Sequence, residues 1–280
     1  MPDPSDTPLS SEAPIGVFDS GIGGLSVLKH IRALLPHEDL LYFADSSFAP
    51  YGGRPVEEIV TRSLAIAAFL VEHRAKALVV ACNTATAAAI KALRARYPSL
   101  PVVGVEPGLK PAAALTRSGT VGVLATTRTL SSEKFRVLHQ QIGEATNVRF
   151  LPQACVGLAD QVEKGELQSA ATTELLNGYI APLIAQGADT LVLGCTHYPF
   201  VQPLIEKVIG RIASTPVTIV DTGEPVARQL MRLLAERSLL RIEGTGTVKG
   251  FTTGSETSLS DAFSRLLGMH PEVMRIATSA

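Results

Sequence analysis

The stretch Thr190–Phe200, TLVLGCTHYPF, decides how this chain is read. An apolar run, Leu191-Val192-Leu193, ends in Gly194. A thiol, a hydroxyl, an imidazole and a phenol then follow in a row: Cys195, Thr196, His197 and Tyr198. Pro199 comes next, a residue favoured in the first turn of a helix. The pattern describes a buried strand that delivers reactive side chains to its carboxyl end, where ligands bind in open α/β sheets. Ala77–Thr86, ALVVACNTAT, repeats it, with an apolar run, a small residue, Cys82, and then Asn83 and Thr84.

Outward from these two stretches, strands and helices alternate. Ile15–Phe18 is a strand, followed by the glycine-rich turn Asp19–Gly24 and a helix over Leu25–Leu35, whose apolar residues recur at helical spacing. Leu40–Ala44 is a strand, and the loop Phe48–Gly53, FAPYGG, leads into a helix over Pro55–Arg74. A strand at Ala77–Ala81, a helix at Thr86–Arg96 and a strand at Pro101–Val105 complete a first series. A second series has strands at Thr120–Leu124, Val148–Leu151, Thr190–Gly194 and Val217–Val220. Its helices are expected at Ser131–Ile142, Cys155–Lys164, Ser169–Gln186 and Pro199–Arg211.

The two series correspond. Gly16-Val17 matches Gly122-Val123 (122 − 16 = 106), Cys82 matches Cys195 (195 − 82 = 113), and Glu106-Pro107-Gly108 matches Asp221-Thr222-Gly223 (221 − 106 = 115). Anchors in one order with slowly drifting offsets indicate an internal duplication that diverged mainly in its loops. The expected fold is α/β, with two pseudo-symmetric domains built on mostly parallel sheets covered on both faces. A ligand would sit between the carboxyl ends of the two sheets. A helix at Pro225–Glu236, a strand at Val248–Thr252 and a helix at Ser260–Leu267 remain, and this segment could pack against either half.

Composition narrows the function. The 280 residues, 46% hydrophobic, are enough for two domains with a substantial core. A net charge of −1, few aromatics and no Trp argue against nucleic acid as a partner, and no apolar run suits a membrane span. Residues 1–13, acidic and rich in Pro and Ser, read as a disordered lead-in without the marks of a signal peptide. Three cysteines, an odd number, fit free thiols in a reducing cytoplasm.

The glycine-rich turn falls short of a dinucleotide fingerprint, because Ser26 stands where a third glycine is needed, and no Walker lysine follows. Its N–H groups could bind a phosphate or a carboxylate equally well. A zinc site from Cys82, Cys195 and His197 is weighed against the absence of close Cys-x-x-Cys pairs, and no metal is expected. Either cysteine alone is readily a small buried hydrophobe, which is the reading for Cys155. A matched pair is different. Two thiols flanking one carbon can take a proton from one face and return one to the other, which inverts a stereocentre. An ordinary thiol pKa of about 8.5 lets each serve as acid or base. Asp19 and His197 are suited to tune or shuttle those protons, and helix N-termini after each cysteine would favour thiolates and substrate carboxylates.

DSGIGGLSVL (Asp19–Leu28), Asp45, PYG (Pro50–Gly52), ACNTAT (Ala81–Thr86), Glu106-Pro107 and GCTHYP (Gly194–Pro199) together resemble the glutamate racemases. These are cofactor-independent isomerases that make D-glutamate for peptidoglycan and cell-wall biogenesis. The resemblance runs from about Ile15 to Leu267. It implies that Cys82 acts on the D-substrate and Cys195 on the L-substrate, with Asp19, Glu163 and His197 assisting proton transfer. It implies that glutamate is held by Asp19, Ser20, Tyr51, Gly52, Asn83, Thr84, Thr196 and His197, with Thr126 and Thr129 closing the site. It also implies domains at 14–106 plus 220–280 and at 107–219, no cofactor, and a homodimer.

Two departures stand out. Val156–Gln161 replaces the Pro and bulkier apolar run usual after Ala154-Cys155, so Glu163 is placed by its spacing to Lys164-Gly165. Arg128 stands where a small residue is more usual. The alternatives are a related aspartate or hydantoin racemase, a two-lobed amino-acid-binding protein, and a cysteine hydrolase.

Overall fold

The computed structural model describes residues 9–277. The chain divides into two compact units, one running up to Val105 and resuming at Gly223, the other spanning Glu106–Thr222.

The first unit contains β1 (Ile15–Asp19), α1 (Leu25–Leu34), β2 (Leu40–Ala44), α2 (Val56–Glu72), β3 (Ala77–Val80), α3 (Asn83–Arg96) and β4 (Val102–Gly104). The second begins with α4 (Leu109–Leu115), β5 (Thr120–Ala125), α5 (Thr127–Ser131), α6 (Glu133–Thr146) and β6 (Arg149–Ala154). It continues with α7 (Leu158–Glu163), α8 (Ala170–Ala185), β7 (Thr190–Gly194), α9 (Gln202–Ile212) and β8 (Thr218–Val220). The chain then re-enters the first unit with α10 (Gly223–Glu236), β9 (Val248–Thr252), α11 (Glu256–Leu267) and β10 (Glu272–Arg275).

The first sheet has the order β10-β9-β2-β1-β3-β4 and the second β6-β5-β7-β8, with every pairing parallel. The order β2-β1-β3-β4 therefore recurs as β6-β5-β7-β8. The likeness reaches single side chains. A Cβ on Gly16 would meet Leu70 of α2 and Leu78 of β3, and one on Gly122 would meet Leu183 of α8 and Leu191 of β7. Both leucine pairs are related by the spacing that carries Cys82 to Cys195 (183 − 70 = 113; 191 − 78 = 113). Each glycine lets a helix lie close on the central strand, because a side chain there would occupy the leucine's place.

Both faces of each sheet are covered, as parallel strands require. In the first unit, Phe18, Leu78 and Val80 pack with Ile66 and Leu70 of α2 and with Ala85, Ala89 and Leu93 of α3. Helix α1 contacts both α10 and α11 in the same unit. In the second unit one core joins Leu124, Leu191 and Leu193 to α7, α8 and α9, and another joins Val121, Val123 and Val192 to α4 and α6. Burying a single such Leu or Ile stabilises by about 1.5–3 kcal/mol.

Several boundaries differ from the sequence reading. Strand β6 runs through Pro152 instead of stopping at Leu151, because it is an edge strand where a missing N–H breaks no ladder bond. After Cys195 comes a 3₁₀ turn, Tyr198–Val201, and α9 starts only at Gln202. Pro199 and Pro203 supply no N–H to one continuous helix. Helix α4 and the edge strand β10 are short elements that the reading passed over. The final segment joins the first sheet, with β9 pairing β2. Of the expected disordered lead-in, residues 1–8 lie outside the described residues. Residues 9–13 are held in place: Leu9 packs on the first core, Lys76 Nζ donates to the Ser11 carbonyl, and Glu12 pairs with Arg241 at 3.1 Å.

Candidate active site

Each unit brings its reactive side chains to the carboxyl edge of its sheet. In the first, β1 and β3 run in register with Phe18 beside Val80. Continuing two residues sets Ser20 beside Cys82, and Ser20 Oγ lies 3.7 Å from Cys82 Sγ. Cys82 is also the N-cap of α3, its sulfur accepting from the Ala85 N–H at 3.4 Å. Helix α3 starts at Asn83, three residues earlier than its apolar spacing suggests, because the cysteine itself caps it.

Asp19, fully buried, closes the glycine-rich turn on itself. Its Oδ1 accepts from Ser20 N at 2.6 Å and Ser20 Oγ at 3.1 Å, and its Oδ2 accepts from Gly24 N. The turn that resembles a phosphate loop thus spends part of its N–H donors on its own carboxylate. The order Asp19–Ser20–Cys82 is a hydrogen-bonded path from a carboxylate through a hydroxyl to a thiol.

Asn83 and Thr84 follow Cys82, and both are buried. Neither Oδ1 nor Nδ2 of Asn83 has a hydrogen-bond partner among the described residues. A buried amide left unpaired costs about 1–3 kcal/mol, so this one is set up to receive a polar group from outside the fold. Tyr51 and Gly52 lie in a 3₁₀ turn, Tyr51–Gly53, with the Tyr51 hydroxyl donating to Asp45 Oδ2 at 2.6 Å.

In the second unit Ala125 of β5 lies beside Gly194 of β7. One step further, Thr126 and Cys195 lie at matching positions, as Ser20 and Cys82 do. The hydrogen-bond partner of Cys195 is different, however. His197 Nδ1 is 3.6 Å from Cys195 Sγ, and His197 Nε2 is 2.7 Å from Glu163 Oε1, at the last residue of α7. Burial of His197 opposes its charge, but hydrogen bonds to Cys195 and Glu163 and their negative charge outweigh it. The imidazole pKa is held well above its ordinary value.

Thr126 caps α5, accepting from Thr129 N at 3.2 Å and donating to Thr129 Oγ1 at 3.0 Å. Thr196 is buried between Cys195 and His197 in the chain. Cys155, also buried, has its thiol pushed up by burial and by the nearby Cys195, which keeps it in the thiol form.

The structure therefore gathers Asp19, Ser20, Tyr51, Gly52, Cys82, Asn83 and Thr84 within the first unit. It gathers Thr126, Thr129, Glu163, Cys195, Thr196 and His197 within the second. Sequence reasoning missed two partners of Asp45, Arg62 on α2 and Thr253 beyond β9. Sequence distance hid them, since neither belongs to a motif. Among the described residues, no group of three or more His, Cys, Asp or Glu side chains is placed to hold a metal ion. No helix there is long and apolar enough to cross a membrane.

Comparison with known proteins places the chain in a family. Residues 15–230 match the Asp/Glu/hydantoin racemase family, and the chain belongs to that family. It is 52% identical over 263 residues to a glutamate racemase of Ectopseudomonas mendocina, covering 94% of this chain and 98% of the relative. A crystal structure of a glutamate racemase isoform from Bacillus anthracis superimposes with a TM-score of 0.85 at 35% identity, covering 95% of this chain and 98% of that one. Another, from Francisella tularensis in complex with D-glutamate, gives 0.82 at 27% identity, covering 96% and 98%.

Proposed function

We propose that this racemase interconverts L- and D-glutamate without a cofactor, using Cys82 and Cys195 as the two acid–base groups. The observation that carries this reading is the matched placement of the two thiols. Each ends the equivalent strand of its sheet, and each lies beside a hydrogen-bonding partner able to take or give a proton. A hydrolase or a binding protein has no use for the second thiol.

Starting from L-glutamate, the Cys195 thiolate removes the Cα proton, leaving a carbanion delocalised into the α-carboxyl group. The Cys82 thiol then delivers its proton to the opposite face. Cys195 ends as thiol and Cys82 as thiolate, the state that acts on D-glutamate. His197 and Glu163 serve the proton on Cys195; Ser20 and Asp19 serve the proton on Cys82. Positioned proton transfer of this kind contributes about 10²–10⁴-fold per step. The open amide of Asn83, with Thr84, Tyr51-Gly52, Thr196, Thr126 and Thr129, supplies the polar groups that hold glutamate.

The choice of glutamate is supported by the names of relatives at about half identity and by the D-glutamate bound to the Francisella tularensis protein. With it goes the role that the resemblance implies, a cytoplasmic source of D-glutamate for peptidoglycan, acting as a homodimer. Sedimentation measures the last point.

The deciding experiment is incubation with L-glutamate in D2O, in buffer free of added cofactor and metal. Deuteration at Cα with loss of optical rotation is expected. Exchange of aspartate in preference to glutamate would move the substrate assignment, and no exchange with either would overturn the reading.

A further inference from the structure

Asp45 follows β2 and is fully buried. Its carboxylate accepts four hydrogen bonds. Oδ1 takes Arg62 Nη2 at 2.6 Å and Thr253 Oγ1 at 3.0 Å, and Oδ2 takes the Tyr51 hydroxyl at 2.6 Å and Arg62 Nε at 3.0 Å. A carboxylate offers about four lone-pair sites, so all of Asp45's are in use. The carboxylate thus anchors the groups around it.

The donors come from three separate parts of the first unit. Tyr51 belongs to the loop after β2. Arg62 is on α2, its guanidinium carbon 3.8 Å from the centre of the Phe48 ring in that loop. Thr253 lies just past β9, in the segment that returns after the second unit. It is tied to the loop twice more: Ser47 N donates to Thr253 Oγ1 at 3.0 Å, and Ser47 Oγ donates to the Thr253 carbonyl at 2.6 Å.

Arg62 and Thr253 thus brace the loop from two sides, one through a bidentate ion pair and stacking, the other through a hydroxyl shared between Ser47 and Asp45. The phenolic proton of Tyr51 is committed to Asp45, and the Arg62 guanidinium interacts with Tyr51 as well.

We infer that Arg62 and Thr253 are positioning residues for the racemase reaction, holding Tyr51 and Gly52 in place for the substrate through the saturated Asp45 carboxylate. This inference rests on the reading that Tyr51-Gly52 contacts glutamate. It gives the carboxyl-terminal segment a part in the site although that segment supplies no group that touches substrate.

The test uses the full chain as Thr253→Val, Thr253→Ser and Arg62→Lys. Val keeps the shape of Thr and removes the hydroxyl; Ser keeps the hydroxyl. Thr253→Val is expected to raise KM for both enantiomers about fivefold to tenfold with kcat changed less than about twofold, the signature of lost uniform binding. Thr253→Ser should return KM to near the starting value. Arg62→Lys, which loses the fork geometry, should raise KM further. A Thr253→Val KM within about twofold of the parent, a rise that Ser does not rescue, or a loss confined to kcat overturns the inference. Hydrogen–deuterium exchange of the backbone amides of residues 46–53, followed by mass spectrometry, reads the loop without substrate. If the unaltered protein racemises neither enantiomer, the glutamate reading fails by itself. Faster exchange of this loop in Thr253→Val then still supports the bracing, and unchanged exchange overturns it.

Discussion

His197 stands between a carboxylate and a thiol, with Nε2 2.7 Å from Glu163 Oε1 and Nδ1 3.6 Å from Cys195 Sγ. The Glu163 contact helps hold the ring charged against the cost of burial. Because the folded pKa is raised, its stabilisation is fully present below the unfolded value of about 6.5 and is lost as pH rises through the folded value. Glu163→Gln should lower the His197 pKa, read by NMR titration of the ring. The melting-temperature gap to the parent should be widest between about pH 5 and 6.5 and should close at higher pH. An unchanged His197 titration would show that Glu163 does not set its charge.

The three cysteines should separate cleanly. Cys82→Ser and Cys195→Ser are each expected to reduce turnover in both directions by about 10²–10⁴-fold. Cys155→Ala should leave it within about twofold. Cys155 is buried with its thiol pushed up, so mass spectrometry after iodoacetamide at neutral pH should find it unlabelled in the folded protein. Equal tolerance of all three substitutions would make the cysteines structural.

Asn83 sets stability against function. Its side-chain amide is buried with no partner among the described residues. Asn83→Leu keeps the size and removes the unpaired polar atoms, so it should stabilise by about 1 kcal/mol, raising the melting temperature by about 2–4 °C. The same change should lower kcat/KM at least about tenfold. A variant less stable than the parent would mean that the amide is satisfied within the fold.

Gly24 is fixed by Asp19. A Cβ at this position would lie 2.8 Å from the Asp19 Cβ and 3.0 Å from the Ala81 Cβ. Gly24→Ala should therefore cost about 1–3 kcal/mol, measured by urea unfolding, and reduce turnover by moving the Asp19 carboxylate. Full activity in that variant would show that the turn can open without consequence.

Arg74 ends α2 with φ of 64°, and its counterpart after α8 is Gly187 with φ of 89° (187 − 74 = 113). The hydrogen bonds match as well, with Ala75 N donating to Leu70 O at 3.0 Å and Ala188 N to Leu183 O at 3.1 Å. A left-handed conformation costs an L side chain about 1–2 kcal/mol that glycine escapes. Arg74→Gly should stabilise by about 1 kcal/mol in urea unfolding without changing kcat or KM. A destabilised variant would mean that the exposed Arg74 side chain contributes more than its backbone strain removes.

The sequence by itself determined the parallel α/β class, the duplication, and the two strand-end cysteines. These are local or periodic facts: apolar runs of strand length, helical spacing between them, and the same order of anchors twice. Asp19, Ser20, Asn83 and His197 were legible because each stands within a few residues of a strand end. Tertiary structure alone decided which groups meet. Glu163 reaches His197 across 34 residues because α7 ends beside the 3₁₀ turn after Cys195. Thr253 reaches Asp45 across 208 residues because β9 pairs with β2. Neither contact leaves a periodicity or a turn signal in the chain, because strand pairing over such distances follows from burying both faces of the sheet together. The different hydrogen-bond partners of the two matched thiols, a hydroxyl and carboxylate for Cys82 and an imidazole and carboxylate for Cys195, arise in the same way.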